Sequence, residues 1–272
     1  MLDNLYTLPN RDRICRAFAF AALQTWTELR DFDELGEDSI TDYRILQLKR
    51  MCPDEVRVIK FSRSKESQTG ADWEWWFGSG HEWFGMRVQA KRLDIDSLEY
   101  KHLDHLIGKT GVLQINRLIS DANSRNLYSM YCFYNYWPAG KYNADWPCGT
   151  FAETPDLWGA SISDTHKIQI KVNSNLKKLK DIEPISMPLI CLACCRGHAD
   201  SKRPTLPHRA RGIALKLNGN TNLVPPIVPH LPSYITQSVD PPVLDVQSPL
   251  DLDGILIIEE NPNVYREAYS RR

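Results

Sequence analysis

Asp72, Gln89 and Lys91 are side chains that could act together on a phosphodiester. A carboxylate can hold Mg²⁺, whose charge stabilises an anionic transition state and lowers the pKa of a bound water. A nearby ammonium can orient that water or neutralise charge developing on the phosphate. These residues lie in TGADWEWWFGSGHEWFGMRVQAKR, Thr69–Arg92, which also carries Glu74 and Arg87.

Chemistry of this kind needs the side chains brought to one face, and the pattern of the stretch supplies the means. Two runs rich in aromatic and branched residues, Asp72–Phe77 and Trp83–Leu93, flank Gly78-Ser79-Gly80 and predict a β-hairpin. With the turn between Gly80 and His81 and no bulge, Asp72 faces Gln89, Glu74 faces Arg87 and Trp76 faces Gly85. Alternation then places Asp72, Glu74, Arg87, Gln89 and Lys91 on one face. Trp73, Trp75, Phe77, Met86, Val88 and Ala90 form the other, which requires a core. A one-residue bulge would break this register. The alternative reading of the polar face is a solvated sheet surface, with Glu74–Arg87 as an ion pair contributing at most about 1 kcal/mol.

Asp72 followed after a turn by Gln89-Ala90-Lys91 resembles the PD-(D/E)XK nuclease superfamily, in the Gln-x-Lys branch of Mrr-like restriction enzymes. The longer string TGADWEWWF…VQAKR resembles an uncharacterised bacterial family of that type. The resemblance implies an α/β fold with an αβββαβ core and a metal-dependent nuclease using Mg²⁺ or Mn²⁺. It implies Asp72 as the metal-binding acid, Gln89 shaping the site with the Ala90 carbonyl as a metal ligand, and Lys91 positioning water or stabilising charge. A further acid comes from the first helix in that superfamily. Glu28, Glu34 and Glu37 are the candidates, and Glu37 is preferred because GEDSITDYRILQL directly precedes the first strand; Glu74 is the other helper. The bland reading of Glu37 is an acidic first turn that complements the helix dipole. The chain departs from the usual motif in having Gln where a second strong carboxylate stands, which predicts weak metal affinity unless another acid completes the shell.

The supporting elements follow from periodicity. Asp12–Arg30 reads as a helix with Ile14, Ala17, Phe18, Ala21, Ala22 and Trp26 on one stripe. Ile40–Met51 reads as a second helix, capped by Asp38 or Ser39, with Tyr43, Ile45, Leu46 and Leu48 buried. Glu55–Phe61 is the first strand. Leu93–Gly111 reads as a turn and a short helix, Leu113–Asn123 as a helix and Leu127–Trp137 as the fourth core strand. Gln114 and Arg117 could approach a phosphate backbone, although solvation of a helix surface is the simpler reading. The resemblance covers about residues 37–137. Residues 1–137 form the expected nuclease-like core, and 138–272 an elaboration packed on it, as a second unit or within the same domain.

In that second half Asp156–Thr165 holds a short helix, His166–Val172 and Pro188–Cys195 read as strands, and Gly254–Glu259 as a last buried strand. Cys191, Cys194, Cys195 and His198 invite a zinc reading, but the partner cluster of a structural zinc site is missing, and Cys191 and Cys195 also fit a buried strand. Arg196–Lys216 is the richest basic segment and a candidate phosphate contact; a solvated loop is its alternative. Leu223–Pro249, rich in proline and branched residues, reads as extended chain over the domain.

A net charge of −1 confines any nucleic-acid contact to local patches. The 42% hydrophobic and 25% charged composition is that of a globular chain. No apolar run approaches a membrane span, and the seven scattered cysteines and the start MLDNLYTLPNRDR predict a cytoplasmic protein with reduced thiols. Expected partners are nucleic acid, DNA ahead of RNA, and no membrane; a homodimer and an activating partner are compatible with the sequence. The alternative function is a non-catalytic nucleic-acid or protein-binding module that keeps the nuclease fold.

Overall fold

Two helices lead the structure, a computed structural model that describes residues 13–61, 70–107, 111–145, 154–198, 204–236 and 252–260. Helix α1 (Arg13–Asp31) buries the predicted stripe, Ile14 through Trp26. Helix α2 starts earlier than predicted and runs Glu37–Met51, with Gly36 at its N-cap and no side-chain cap bond. Its buried face is Ile40, Thr41, Arg44, Ile45 and Leu48, whereas Tyr43 and Leu46 are exposed. The helix register selects residues three and four apart, which corrects the expected burial of those two.

The remaining strands are β1 (Val56–Lys60), β2 (Trp73–Ser79), β3 (Glu82–Arg92), β4 (Tyr128–Tyr134), β5 (Ala160–Asp164), β6 (Ser186–Pro188) and β7 (Gly254–Glu259). They form one mixed sheet in the order β1-β7-β2-β3-β4-β5-β6, giving an α/β architecture. The hairpin β2–β3 has the predicted register, with Glu74 opposite Arg87 and Trp76 opposite Gly85. Trp76 needs the gap that glycine leaves: a Cβ on Gly85 would stand 2.7 Å from its ring. Strand β4 joins β3 in parallel, and α3 (Gln114–Ser124) makes the crossover. The elements α2-β1-β2-β3-α3-β4 thus follow one another along the chain, but β7 enters between β1 and β2, antiparallel to the first and parallel to the second. Residues beyond 137 therefore supply strands at both the edge and the middle of the sheet.

Both faces of the sheet are covered. On one, Trp73, Trp75, Phe77, Met86 and Val88 pack with α1, α2 and the later helices, as the hairpin alternation requires. On the other, Trp76, Tyr131, Phe133, Ile255 and Ile257 pack against α3 and α4 (Thr165–Asn173). The alternative reading of the polar face as a solvated surface fails at Glu74 and Arg87, which are 0% exposed.

Four segments fold otherwise than expected. Residues 166–172 are helix α4, with the buried Asp164 at its N-cap accepting from the Lys167 N–H at 3.0 Å. Ile168 and Val172 point inward while Ile170 is 65% exposed, a spacing of four. Residues 188–195 hold the end of β6 and the single-turn α6 (Cys191–Cys194), after the equally short α5 (Leu179–Ile182), and are not one strand. In 156–165, a 3-10 turn, Pro155–Gly159, is followed by β5. The segment 93–107 is turns and isolated bridges without a helix among its described residues. Leu223–Pro249 is described as far as residue 236; there Val228 pairs with Trp83 and the short α8 (Ser233–Thr236) lies against the domain, and the remainder falls outside the described residues. No helix among the described residues is long and apolar enough to cross a membrane.

Candidate functional site

A cleft of about 830 Å³ opens where the end of β3 meets the start of α2. Its floor carries Asp72, Gln89 and Lys91, one wall carries Glu34 to Ser39, and the opposite wall carries Asp94, Lys101, His102, His105 and Gln114. Asp72, Glu37, Gln89 and Lys91, singled out from the sequence, thus meet in one place.

Asp72 stands at the mouth of β2, where the main chain holds it on both sides. Its N–H donates to Val88 O at 3.0 Å, and its carbonyl accepts from Asp253 N at 2.8 Å. The carboxylate Oδ2 accepts from Ala90 N at 2.9 Å and Gln89 Nε2 at 2.7 Å. Gln89 Nε2 also lies 3.0 Å from the Ala90 carbonyl, and Gln89 Oε1 accepts from Gln114 Nε2 at 2.9 Å. Gly70 lets α3 come close enough for that last bond. It adopts φ +73°, and a Cβ there would lie 2.5 Å from Gln114 O.

Glu37 is the first residue of α2, and it ties the helix to β3. Its Oε1 accepts from Arg92 N at 3.0 Å, and its Oε2 lies 3.6 Å from Lys91 Nζ. Lys91 is 6% exposed, so its ammonium sits at the cleft floor with little water around it. Burial pushes the Asp72 carboxyl up to about 7, against the opposing pull of Lys91 and the Ala90 N–H; Asp253 and Glu37 push in the same direction as burial. Beneath them the Tyr131 phenol, cross-strand from Gln89, is also pushed up, chiefly by burial and then by Asp72 and Glu37. Its hydroxyl, like Gln114 Oε1, is buried without a hydrogen-bond partner among the described residues.

Other sequence candidates lie elsewhere. Glu74 does not line the cleft. Its Oε1 accepts from Trp76 Nε1 at 2.6 Å and the Tyr234 hydroxyl at 2.8 Å, and its Oε2 faces Arg87 at 3.4 Å. Arg87 also meets Asp121 of α3 at 3.1 Å, making a buried network that clamps helix to sheet. The solvated Glu74–Arg87 pair is thereby corrected to an interior one. Glu28 is engaged by Arg44 at 2.6 Å, outside the cleft, whereas Glu34 lies on its rim.

The basic run 196–216 is largely α7 (Leu206–Asn218). Its Arg209 is buried against Glu260 at 2.7 Å, and Arg211 donates to Pro225 O. Cys194 is disulfide-bonded to Cys15 with Cα atoms 5.2 Å apart, which corrects the expectation of reduced thiols. Among the described residues no group of three or more His, Cys, Asp and Glu side chains is arranged to hold a metal.

Asp94, Lys101, His102 and His105 line the cleft with no sequence motif to mark them. Lys101 pairs with Asp94, which that bond and Ser97 hold down at about 2. The three from 101 to 105 sit in irregular chain, held at one end by the Asp94–Glu99 bridge and at the other by Gln114 N, which donates to His105 O at 2.8 Å.

No curated protein matches the chain. A family model matches residues 14–264, which take in the whole cleft and every strand of the sheet, and the chain belongs to that family, a family of unknown function (DUF6615).

Proposed function

We propose that the protein is a metal-dependent nuclease of the PD-(D/E)XK type that hydrolyses phosphodiester bonds, with DNA preferred over RNA. The observation that carries the reading is the convergence of Asp72, Glu37, Gln89 and the nearly buried Lys91 on one cleft from three separate chain segments. The resemblance of the hairpin to Mrr-like enzymes extends the proposal to bacterial defence or restriction.

The donor set fits a hard divalent cation. Two carboxylates and a main-chain carbonyl, those of Asp72, Glu37 and Ala90, are oxygen ligands, and Mg²⁺ commonly takes one or two carboxylates and keeps several waters. Burial raises the proton affinity of Asp72 against the pull of Lys91. When bound, the cation would supply Lewis acidity and a water of lowered pKa. The chain does the rest. Asp72 and Glu37 hold their oxygens fixed through the Ala90 and Arg92 N–H groups. Lys91, drawn toward the cleft by Glu37, places a cation where negative charge develops on the phosphate. Lys101, His102 and His105 supply donors on the wall for flanking phosphates.

Cleavage of linear and circular duplex DNA, single-stranded DNA and structured RNA, measured with Mg²⁺, Mn²⁺ or EDTA, tests the proposal. Wild type is compared with Asp72→Ala and Lys91→Ala after thermal melting has established that each folds. Metal-dependent cleavage lost in both variants is the expected result. Cleavage that survives both places the activity elsewhere and defeats the reading. Binding without cleavage in any metal favours the non-catalytic module.

A further inference from the structure

The side-chain amide of Gln89 occupies a position with two opposed uses. Its Nε2 lies between Asp72 Oδ2 at 2.7 Å and the Ala90 carbonyl at 3.0 Å, two oxygens that the nuclease reading assigns to a cation. A donor nitrogen satisfies those oxygens when no cation is present. It is the wrong atom when one is, because an N–H group repels a metal ion and an amide oxygen binds it.

The neighbouring amide is arranged for the exchange. Gln114 Nε2 donates to Gln89 Oε1 at 2.9 Å, while Gln114 Oε1 is buried with no partner among the described residues. A half-turn of Gln89 alone would bring its NH₂ against the NH₂ of Gln114. A half-turn of both amides brings Gln89 Nε2 to Gln114 Oε1, and Gln114 Nε2 then takes the place where that oxygen had no partner. The two amides therefore have two self-consistent arrangements, and only one presents an oxygen to Asp72 and Ala90. Each arrangement keeps the hydrogen bond between the two amides and leaves one polar atom of Gln114 buried without a partner, so neither is favoured by that count and a bound cation decides between them.

Resting on the nuclease reading, we propose that Gln89 and Gln114 form a coupled amide switch. Cation binding turns both side chains over: Gln89 presents Oε1 to the cation, and Gln114 acts as the positioning residue that holds it there. Gln114 reaches the site because α3 is seated on Gly70, which makes the first turn of that helix part of the cation site without giving it a ligand of its own.

The test uses the full chain, Mn²⁺ affinity by electron paramagnetic resonance and side-chain amide NMR of ¹⁵N-glutamine-labelled protein titrated with Mg²⁺. Gln114→Glu can only accept, so it selects the cation-ready arrangement of Gln89. Its added charge also attracts cations directly, and the same substitution in a Gln89→Met background isolates that contribution. The expected result is a gain in Mn²⁺ affinity at least about threefold larger with Gln89 present than without it. In wild type, Mg²⁺ shifts the Gln89 and Gln114 amide signals together, and in Gln114→Glu the Gln89 signal already lies near its Mg²⁺-bound position. If Gln114→Glu does not fold, the joint shift in wild type decides. Equal gains in the two backgrounds, or Mg²⁺ binding with both amide signals unmoved, overturns the switch and leaves the cation site standing. Absence of Mn²⁺ binding by wild type overturns the cation site and the switch with it.

Discussion

Replacing Asp72 by asparagine is expected to make the cation-free protein more stable. Burial lifts the Asp72 carboxyl from the ordinary 3.8 to about 7. A group whose folded pKa is raised binds its proton more tightly in the native state. Its contribution to stability is fully present below pH 3.8 and is lost as pH rises through about 7. Each tenfold change in proton affinity is worth 1.36 kcal/mol, so the displacement amounts to roughly 4 kcal/mol if fully expressed. Asp72 is only partly covered and opens onto a wet cleft, which reduces the expected value to about 2 kcal/mol. Asparagine keeps an oxygen for the Ala90 N–H and carries no charge to desolvate. In EDTA at pH 8, Asp72→Asn should melt about 5 °C above wild type. The difference should shrink toward zero as the pH falls from 7 to 4. Added Mg²⁺ should raise the wild-type melting temperature and leave the variant unmoved. A variant that melts at or below wild type in EDTA at pH 8 would show that Lys91 and the Ala90 N–H already compensate the charge, and the reasoning would fail.

Glu74→Gln should cost about 1–3 kcal/mol, because it removes one of the two carboxylates, Glu74 and Asp121, that balance the buried Arg87 guanidinium; urea denaturation measures it, and a cost well below about 1 kcal/mol would return the pair to the status of a surface contact. Gly70→Ala should lower the melting temperature and weaken Mn²⁺ binding together, since the added Cβ meets Gln114 O at 2.5 Å in a backbone conformation alanine resists; unchanged Mn²⁺ affinity would separate α3 from the site. Cys15→Ser should destabilise by about 2–4 kcal/mol through loss of a cross-link spanning 179 residues, and calorimetry of the variant beside wild type measures it.

The hairpin and its register were legible because period-two alternation and a glycine turn leave little choice of pairing. Asp72, Gln89 and Lys91 were legible for the same reason, whereas Glu37, which lies off the hairpin, rested on the resemblance and on its place before the first strand. Other parts were hidden by ambiguity that only tertiary structure resolves. HKIQIKV alternates like a strand, but capping by Asp164 at the end of β5 makes it a helix. PLICLACC is apolar throughout, and such a run does not distinguish strand from helix. Arg209 read as a candidate phosphate contact, yet Glu260, more than fifty residues on, takes it into the core. His102 and His105 lie in chain without periodicity, so nothing local announced that they face the site.

Strand β7 has a consequence for how the molecule comes into being. It lies between β1 and β2, and Asp253, at its threshold, holds the Asp72 carbonyl. During synthesis, residues 56–60 and 73–79 leave the ribosome some two hundred residues before the segment that fills the space between them. Until then each presents an open edge, a hazard for pairing with other chains. Closure of the sheet is a long-range event and slow on topological grounds. The nascent chain therefore lacks the support on one side of Asp72 until this late segment arrives.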